Sequence, residues 1–479
     1  MRSMSRFIHA IVILAIFMIF PLGAASRAVA APPPTPESGK SSPGAENEAR
    51  LKELEAKIRE LASAIEALKQ SGAGVEAGKI AELESKIDIL TRELERLRLG
   101  EAAAPSATES RFGLGPAASK VYRVNRGVSV GGYGELAYQN FDSSLDDGTA
   151  SSEADTFDLL RAVLYFGYKF NDRTVFNSEI EFEHATTGEG SEEKGEVSVE
   201  FAYLDFLLKK GLNARAGLLL VPVGFINEMH EPPVFHGVRR PEVERVIIPA
   251  TWRENGAGIF GDLGKFSYRV YIMAGLDASE FSAGSALRDG RQGGSQSKAE
   301  DLALTGRLDL TGVPGLLAGV SAHVGDSSQG AIDSGARVSL WDAHLQYQWR
   351  GFEFRGLFAS GTISDVAEIN AAQSIAPGSD DSIGEEFGGW YAQAAWDLLS
   401  LRKSGEAFLA PFIRYESFDT QKEVPAGFLE DPARDRTLLT LGLTWKPIPQ
   451  VAVKADFQNG RDDAGTGQDQ FNLGLGWLF

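Results

Sequence analysis

The chain contains no cysteine in 479 residues. That excludes disulfides and thiolate metal sites, and it removes the lipidated thiol on which a bacterial lipoprotein depends. Beyond residue 20 no apolar run approaches the roughly 20 residues that a membrane-crossing helix needs. Any membrane crossing must therefore be made by strands. Basic residues are outnumbered, 47 Lys and Arg against 66 Asp and Glu, and the formal net charge is −19. That balance argues against a nucleic-acid partner held by phosphate neutralisation. Histidine is scarce, and His184, His230, His236, His323 and His344 are scattered. His230-Glu231 lacks the second histidine of a zinc-binding helix, and no glycine-rich phosphate loop follows a strand. No metal or cofactor is expected. An enzyme, such as an outer-membrane hydrolase, is disfavoured because no nucleophile, base and acid set can be assembled.

What is present divides the chain into unlike parts. Residues 1–30 predict a cleavable secretory signal: Arg2 and Arg6, a short apolar run at 7–20, then Ala28-Val29-Ala30. The alternative is an uncleaved inner-membrane anchor, for which the run is short. Residues 31–47, rich in Pro, Ser and Gly, read as a flexible linker. Residues 48–100 carry heptads at Leu51, Leu54, Ile58, Leu61, Ile65 and Leu68, and again at Ile80, Leu83, Ile87, Leu90, Leu94 and Leu97. Gly72, Gly74 and Gly78 break them. A strict 3.5-residue period predicts a coiled coil, placed in the periplasm, since an isolated helix would leave its apolar stripe exposed. A helix packed on the chain's own barrel is the alternative. Ile at a with Leu at d favours two helices, whereas a trimer of barrels requires three. Residues 101–126 read as a second linker.

From 127 to 479 the period becomes two, the period of a strand. In the run 341–349, Trp341, Ala343, Leu345, Tyr347 and Trp349 alternate with Asp342, His344, Gln346 and Gln348. About sixteen strands follow from such runs: 127–141, 156–170, 174–184, 196–209, 212–221, 255–262, 265–276, 300–311, 316–325, 337–349, 352–361, 387–399, 406–418, 435–446, 450–459 and 469–479. The links alternate between tight turns, such as 171–173, 210–211 and 350–351, and longer stretches rich in Gly, Ser and Asp. Such parity predicts an all-β, antiparallel, up-and-down transmembrane barrel with short turns at one rim and long loops at the other. A mean hydropathy of −0.14 with 24% charged residues suits it, because only the lipid-facing half of each strand need be apolar.

The final strand puts Phe471, Leu473, Leu475, Trp477 and Phe479 on one face. It resembles the signal by which bacterial outer-membrane proteins are recognised, so outer-membrane lipid and the barrel-assembly machinery are expected partners. An amphipathic strand in a soluble sandwich is the alternative reading of these residues. The longest link, 222–253, is unusual in composition. Apolar residues stand among Arg239, Arg240, Arg245, Arg253, Glu228 and Glu231, which suits a folded insert better than a surface loop.

Over residues 113–479 the chain resembles the phosphate-selective porins O and P and their relatives. The stretches are GVSVGGYGELAYQNF, RAVLYFGYKFND, AYLDF, ARAGLLLVPVGF, APFIRYESFDTQ, LGLTWKPIPQVAVKADFQ and FNLGLGWLF. The resemblance implies a homotrimer of sixteen-stranded barrels, passive uptake of small hydrophilic solutes or ions, and a third loop folded inward as a constriction. Phosphate or another anion would need cationic donors converging on the narrow zone. The strand phase turns Arg161, Arg215, Arg269, Arg307, Arg355, Arg414 and Lys454 inward as pore-lining candidates. It turns Glu135, Glu179, Asp309, Asp342, Glu353, Glu416 and Asp456 inward as well. Mixed charge favours mild selectivity over a phosphate filter. A purely structural role, in which the coiled coil tethers the envelope, is the alternative function.

Overall fold

In the computed structural model, sixteen strands hydrogen-bond in chain order and the sixteenth returns to the first. The structure describes residues 53, 54, 56–65, 83, 86, 87, 90, 110–187, 194–401 and 406–479. The first eight strands are β1 (Gly127–Phe141), β2 (Thr156–Lys169), β3 (Thr174–Glu183), β4 (Val197–Lys209), β5 (Leu212–Leu220), β6 (Arg253–Leu263), β7 (Phe266–Ala274) and β8 (Leu302–Val313). The other eight are β9 (Leu316–Gly325), β10 (Val338–Trp349), β11 (Phe352–Ile363), β12 (Glu386–Trp396), β13 (Phe408–Glu423), β14 (Asp435–Ile448), β15 (Val451–Asp462) and β16 (Asp469–Leu478). Each neighbouring pair is antiparallel, so the cylinder has no raw edge. The strands match the expected ones in order. The largest difference is at β13, expected to stop at 418 and found to run to Glu423.

The period of two has a physical meaning in this closed wall. Trp341, Leu345, Tyr347 and Trp349 stand on the outside, 37–53% exposed, whereas Asp342 and His344 between them are buried inside. Phe166, Leu204, Ile272, Leu304, Trp390 and Ile413 extend the apolar exterior around the barrel. On β16, Phe471, Leu473, Leu475 and Trp477 are partly exposed outside. Asn472 points inward and donates to Asp456 Oδ1 at 2.7 Å.

The seam between β1 and β16 depends on glycine. Phe479 N–H donates to the Gly132 carbonyl at 2.9 Å, and Gly132 N–H to the Phe479 carbonyl at 3.1 Å. The rings of Trp477 and Phe479 lie over Gly134 and Gly132. A Cβ at Gly134 would come within 2.2 Å of the Trp477 ring. Aromatic cover of strand glycine in this manner pins register.

The tight turns, including those around Gly264, Gly315 and Gly351 (φ +66°, +74° and +84°), gather at one rim, where only glycine adopts such φ without cost. The long links gather at the other, although the last of them, 463–468, is short. A brief α-helix, Val366–Ala372, lies in the link before β12.

The interior is not simply a wet lumen. Val221, Phe225, Ile226, Ile247 and Trp252 from the long link after β5, with Leu276, Phe281 and Leu287 from the next one, form an apolar core inside the cylinder. These side chains come from inserted segments and pack on one another, so the alternation of the wall does not foretell them.

Residues 53, 54, 56–65, 83, 86, 87 and 90 are helical. The signal, the 31–47 linker, the glycine break and the rest of the two heptad blocks lie outside the described residues. Among the described residues no helix is long and apolar enough to cross a membrane.

Candidate functional site

The third long link, 221–252, folds into the lumen and is held at its neck by one side chain. Asn227 donates from Nδ2 to the carbonyls of Val221 (2.6 Å) and Trp252 (2.8 Å), and its Oδ1 accepts from Trp252 N–H at 2.7 Å. Glu244 closes the loop further along. Its Oε2 accepts from the N–H groups of Phe225 (2.7 Å) and Ile226 (2.6 Å), and its Oε1 from the Tyr391 hydroxyl of β12 at 2.6 Å.

The inward charges of the wall reach this loop from many sides. Asp342 accepts from Gly224 N–H at 3.0 Å, and Arg307 donates to the Gly224 carbonyl. Arg355 donates to the Val234 carbonyl (3.3 Å) and lies 3.7 Å from Glu353. Arg414 pairs with Glu416 at 2.7 Å and donates to the His236 carbonyl at 3.4 Å; Glu416 accepts from Val243 N–H at 3.1 Å. Lys454 Nζ donates to the Gly237 carbonyl at 2.8 Å and sits 3.7 Å from the Phe235 ring centre. Asp456 accepts from Val238 N–H at 2.6 Å. Arg269 pairs with Glu228 of the loop at 3.1 Å and with Asp309 at 3.0 Å. Small lumen-side positions complete the fit: a Cβ at Gly476 would sit 2.4 Å from Pro232.

The remaining charges pair along the wall. Arg161 meets Glu135 (3.0 Å), Glu181 (2.8 Å) and Glu183 (3.3 Å), while Arg215 meets Asp205 at 2.7 Å. Arg253, the first residue of β6, meets Glu200 at 2.5 Å. Glu179 lies 3.1 Å from His230. Within the loop, Glu242 bridges Arg239 (3.0 Å) and Arg245 (2.5 Å). Burial raises the Glu242 carboxyl, but the two arginines outweigh that and hold it at about 2. Arg240 is buried, and its Nε and Nη2 have no hydrogen-bond partner among the described residues. Most of the candidate charges are thus buried and satisfied by each other or by the loop backbone.

A second segment enters the lumen. Residues 110–122, inside the stretch read as a linker, lie against the wall near the short-turn rim and end in a 3-10 turn, Ala118–Tyr122. Glu231 Oε1 accepts from the N–H groups of Ala117 (2.9 Å) and Ala118 (3.0 Å). Asn177 donates to the Ala118 carbonyl at 3.0 Å. Tyr122 donates to Asp205 at 2.7 Å and accepts from Arg215 at 3.2 Å. The rings of Phe112 and Phe260 stack edge to face at 5.0 Å. Of these partners, Asn177 and Asp205 share the strand phase of Glu179 and Tyr203, so their inward aim was readable; the segment they hold was not.

A hydrolytic centre is not formed where serine, aspartate and histidine meet. Ser321 donates to Asp342, not to His344, whose two ring nitrogens lie 2.6 Å from Asp342 and 2.9 Å from Asp309. A nucleophile needs its base within hydrogen-bond reach.

Fold and site together define a closed, sixteen-stranded antiparallel barrel with an apolar exterior and a charged interior occupied by inserted segments. The chain belongs to one family with an uncharacterized protein of Aquifex aeolicus (strain VF5): the two are 40% identical over 389 residues, 80% of this chain and 87% of that protein. No model of a known protein family matches the sequence. Similar solved structures include OmpF of Salmonella typhi in complex with daunomycin, at 13% identity and a TM-score of 0.47 over 74% of this chain and 98% of that one. The outer membrane channel DcaP of Acinetobacter baumannii follows at 12% and 0.46, over 74% and 97%. An anion-selective porin from Comamonas acidovorans has 15% and 0.43, over 74% and 99%.

Proposed function

We propose that the chain is an outer-membrane porin, a passive channel for small hydrophilic solutes or ions with its long central loop as the constriction. The observation that carries this reading is the sorting of side chains across one closed wall. Trp, Leu and Phe face out all around the cylinder while Arg, Asp and Glu face in, which is the partition that lipid outside and a polar lumen impose. The terminal strand, with Phe471, Leu473, Leu475, Trp477 and Phe479 on its outer face, serves as the barrel-assembly signal. A homotrimer is the assembly expected from the barrel's own symmetry, which overrides the preference of the Ile-at-a, Leu-at-d heptads of residues 48–100 for two helices. Inward arginines are matched by inward carboxylates, so mild selectivity is expected rather than a phosphate filter.

The test is single-channel conductance of the purified protein in a planar bilayer, then reversal potential in a salt gradient with and without phosphate. Ohmic steps carry the porin reading; a selectivity change on adding phosphate would establish the anion. One observation favours a second reading, the extent to which loops and the 110–122 segment fill the lumen. A barrel silent under all conditions, yet bound to cell-wall fragments, would make the protein a structural tether instead.

A further inference from the structure

We propose that residues 110–122 form a releasable plug that narrows the short-turn mouth of the lumen along β1 to β7, so that the barrel conducts far more when the plug leaves its seat. The proposal rests on the porin reading above and adds a gate to it. The plug bridges one side of the mouth: Ala118–Tyr122 lies on β1, β2 and β3, Tyr122 reaches Asp205 and Arg215 on β4 and β5, and Phe112 reaches Phe260 and Arg269 on β6 and β7. Its inner side rests on the central loop through Glu231 and Met229.

Three features set it apart from a fixed part of the wall. Among the described residues, none of its backbone-to-backbone hydrogen bonds goes to a strand: Leu114 donates to Arg111, Ser119 to Gly115, Lys120 to Ala117, and Arg123, just beyond it, to Lys120. Leaving the seat therefore breaks no rung of the sheet. Its polar holds are groups that water can satisfy in its place, Glu231, Asp205, Arg215, Asn177 and the Arg269 guanidinium, which donates to the Phe112 carbonyl at 3.3 Å; Leu114, Val121 and Tyr122 are buried as well, and release uncovers them. These partners are buried while the segment is seated and lose little once water replaces the bond, because the net worth of such a bond is small, so the apolar contacts set the main cost of release. Finally, the wall is recessed to receive it. A Cβ at Gly167 would lie 2.5 Å from Val121 Cγ2, and one at Gly131 3.2 Å from the Ala117 carbonyl oxygen. The heptad stretch precedes the plug in the chain, with residues 101–109 between them, so the two are covalently linked through a short segment.

The absence of cysteine makes a clean test possible. In the Val121→Cys, Gly167→Cys double variant of the full chain, the two Cβ atoms start about 2.8 Å apart. A small outward shift brings them to the roughly 3.8 Å of a disulfide. Planar-bilayer recordings of the oxidised protein are expected to show at least an approximately tenfold lower open probability than the same sample after dithiothreitol. The Tyr122→Phe, Asn177→Ala variant, which removes the bonds to Asp205 and to the Ala118 carbonyl without a cross-link, is expected to open about tenfold more often than the unaltered chain. If oxidised and reduced forms conduct alike and the weakened seat changes nothing, ions pass a seated segment and the plug is refuted while the channel stands. If no form conducts, including a chain lacking residues 110–122, the porin reading itself falls and the plug with it.

Discussion

Glu244 offers the sharpest test of how the central loop is held. It is fully buried and receives three donors, the N–H groups of Phe225 and Ile226 and the hydroxyl of Tyr391. Glu244→Ala strands all three. A buried donor left without a partner costs about 1–3 kcal/mol, so the sum is roughly 3–9 kcal/mol. Burial raises the pKa of this carboxyl, a sign that desolvation already offsets part of the gain. The lower end, about 3 kcal/mol, is therefore the expected loss. Glu244 belongs to the loop and not to the sheet, so the loss falls on the loop's attachment. At about 1.4 kcal/mol per decade, the released population rises on the order of 100-fold. Trypsin reports it, because Arg239 and Arg245 lie in the loop and cleavage follows the open population when reclosing is fast. Heat-modifiable migration on a denaturing gel reports the barrel separately. Glu244→Gln keeps a carbonyl for the two N–H groups and turns an amide toward Tyr391, whose oxygen can accept, so it should cost much less. A Glu244→Ala loop as resistant to trypsin as the parent, in a folded barrel, would refute the argument.

Other outcomes follow from the same geometry. Burial pushes the Glu231 carboxyl up to about 7 despite the Ala117 and Ala118 N–H donors and neighbouring His230, with Glu179 adding to the rise. Hydrated after release it returns to about 4.3, so the seated form binds its proton more tightly. Seating is then strongest below about pH 4.3 and weakens as pH rises through 7, so open probability should climb over that interval and lose its slope in Glu231→Gln. Asp205→Ala leaves Arg215 buried without its partner and should lower stability by about 3–5 kcal/mol, read as a fall in the temperature at which heat-modifiable migration is lost. Leu345→Arg on the outer face should cost about 2–4 kcal/mol if it lies near mid-membrane, measured by folding into lipid vesicles, and should cost nothing if that face met water. Phe479→Ala uncovers Gly132 and weakens the seam, and should reduce the yield of folded barrel in cells.

The wall was legible in the sequence because its cause is local and repeats every two residues. Trp341 to Trp349 shows it without tertiary information, and the inward aim of Arg269, Arg414 or Asp456 follows from the same phase. The partners of those charges were not legible. Asp456 meets Val238, and Lys454 meets Gly237, across more than two hundred residues of chain, and no periodicity encodes such a pairing. Charge and apolar content in 222–253 pointed to an insert, but the residues that fasten it, Asn227, Glu244 and Tyr391, look ordinary in sequence. The 110–122 segment escaped for a related reason. Gly113, Gly115 and Pro116 read as linker, and its apolar residues acquire a partner only once β1 to β7 are curved around it.

The pairing of β1 with β16 has a consequence for biogenesis. The cylinder is sealed by contact between its earliest and latest strands, so a clipped or stalled product ending before Asp469 would carry two raw margins, one on each side of the missing stave. Such a product would invite zippering with its own kind. Until that stave arrives, the flank beside β1 stays open.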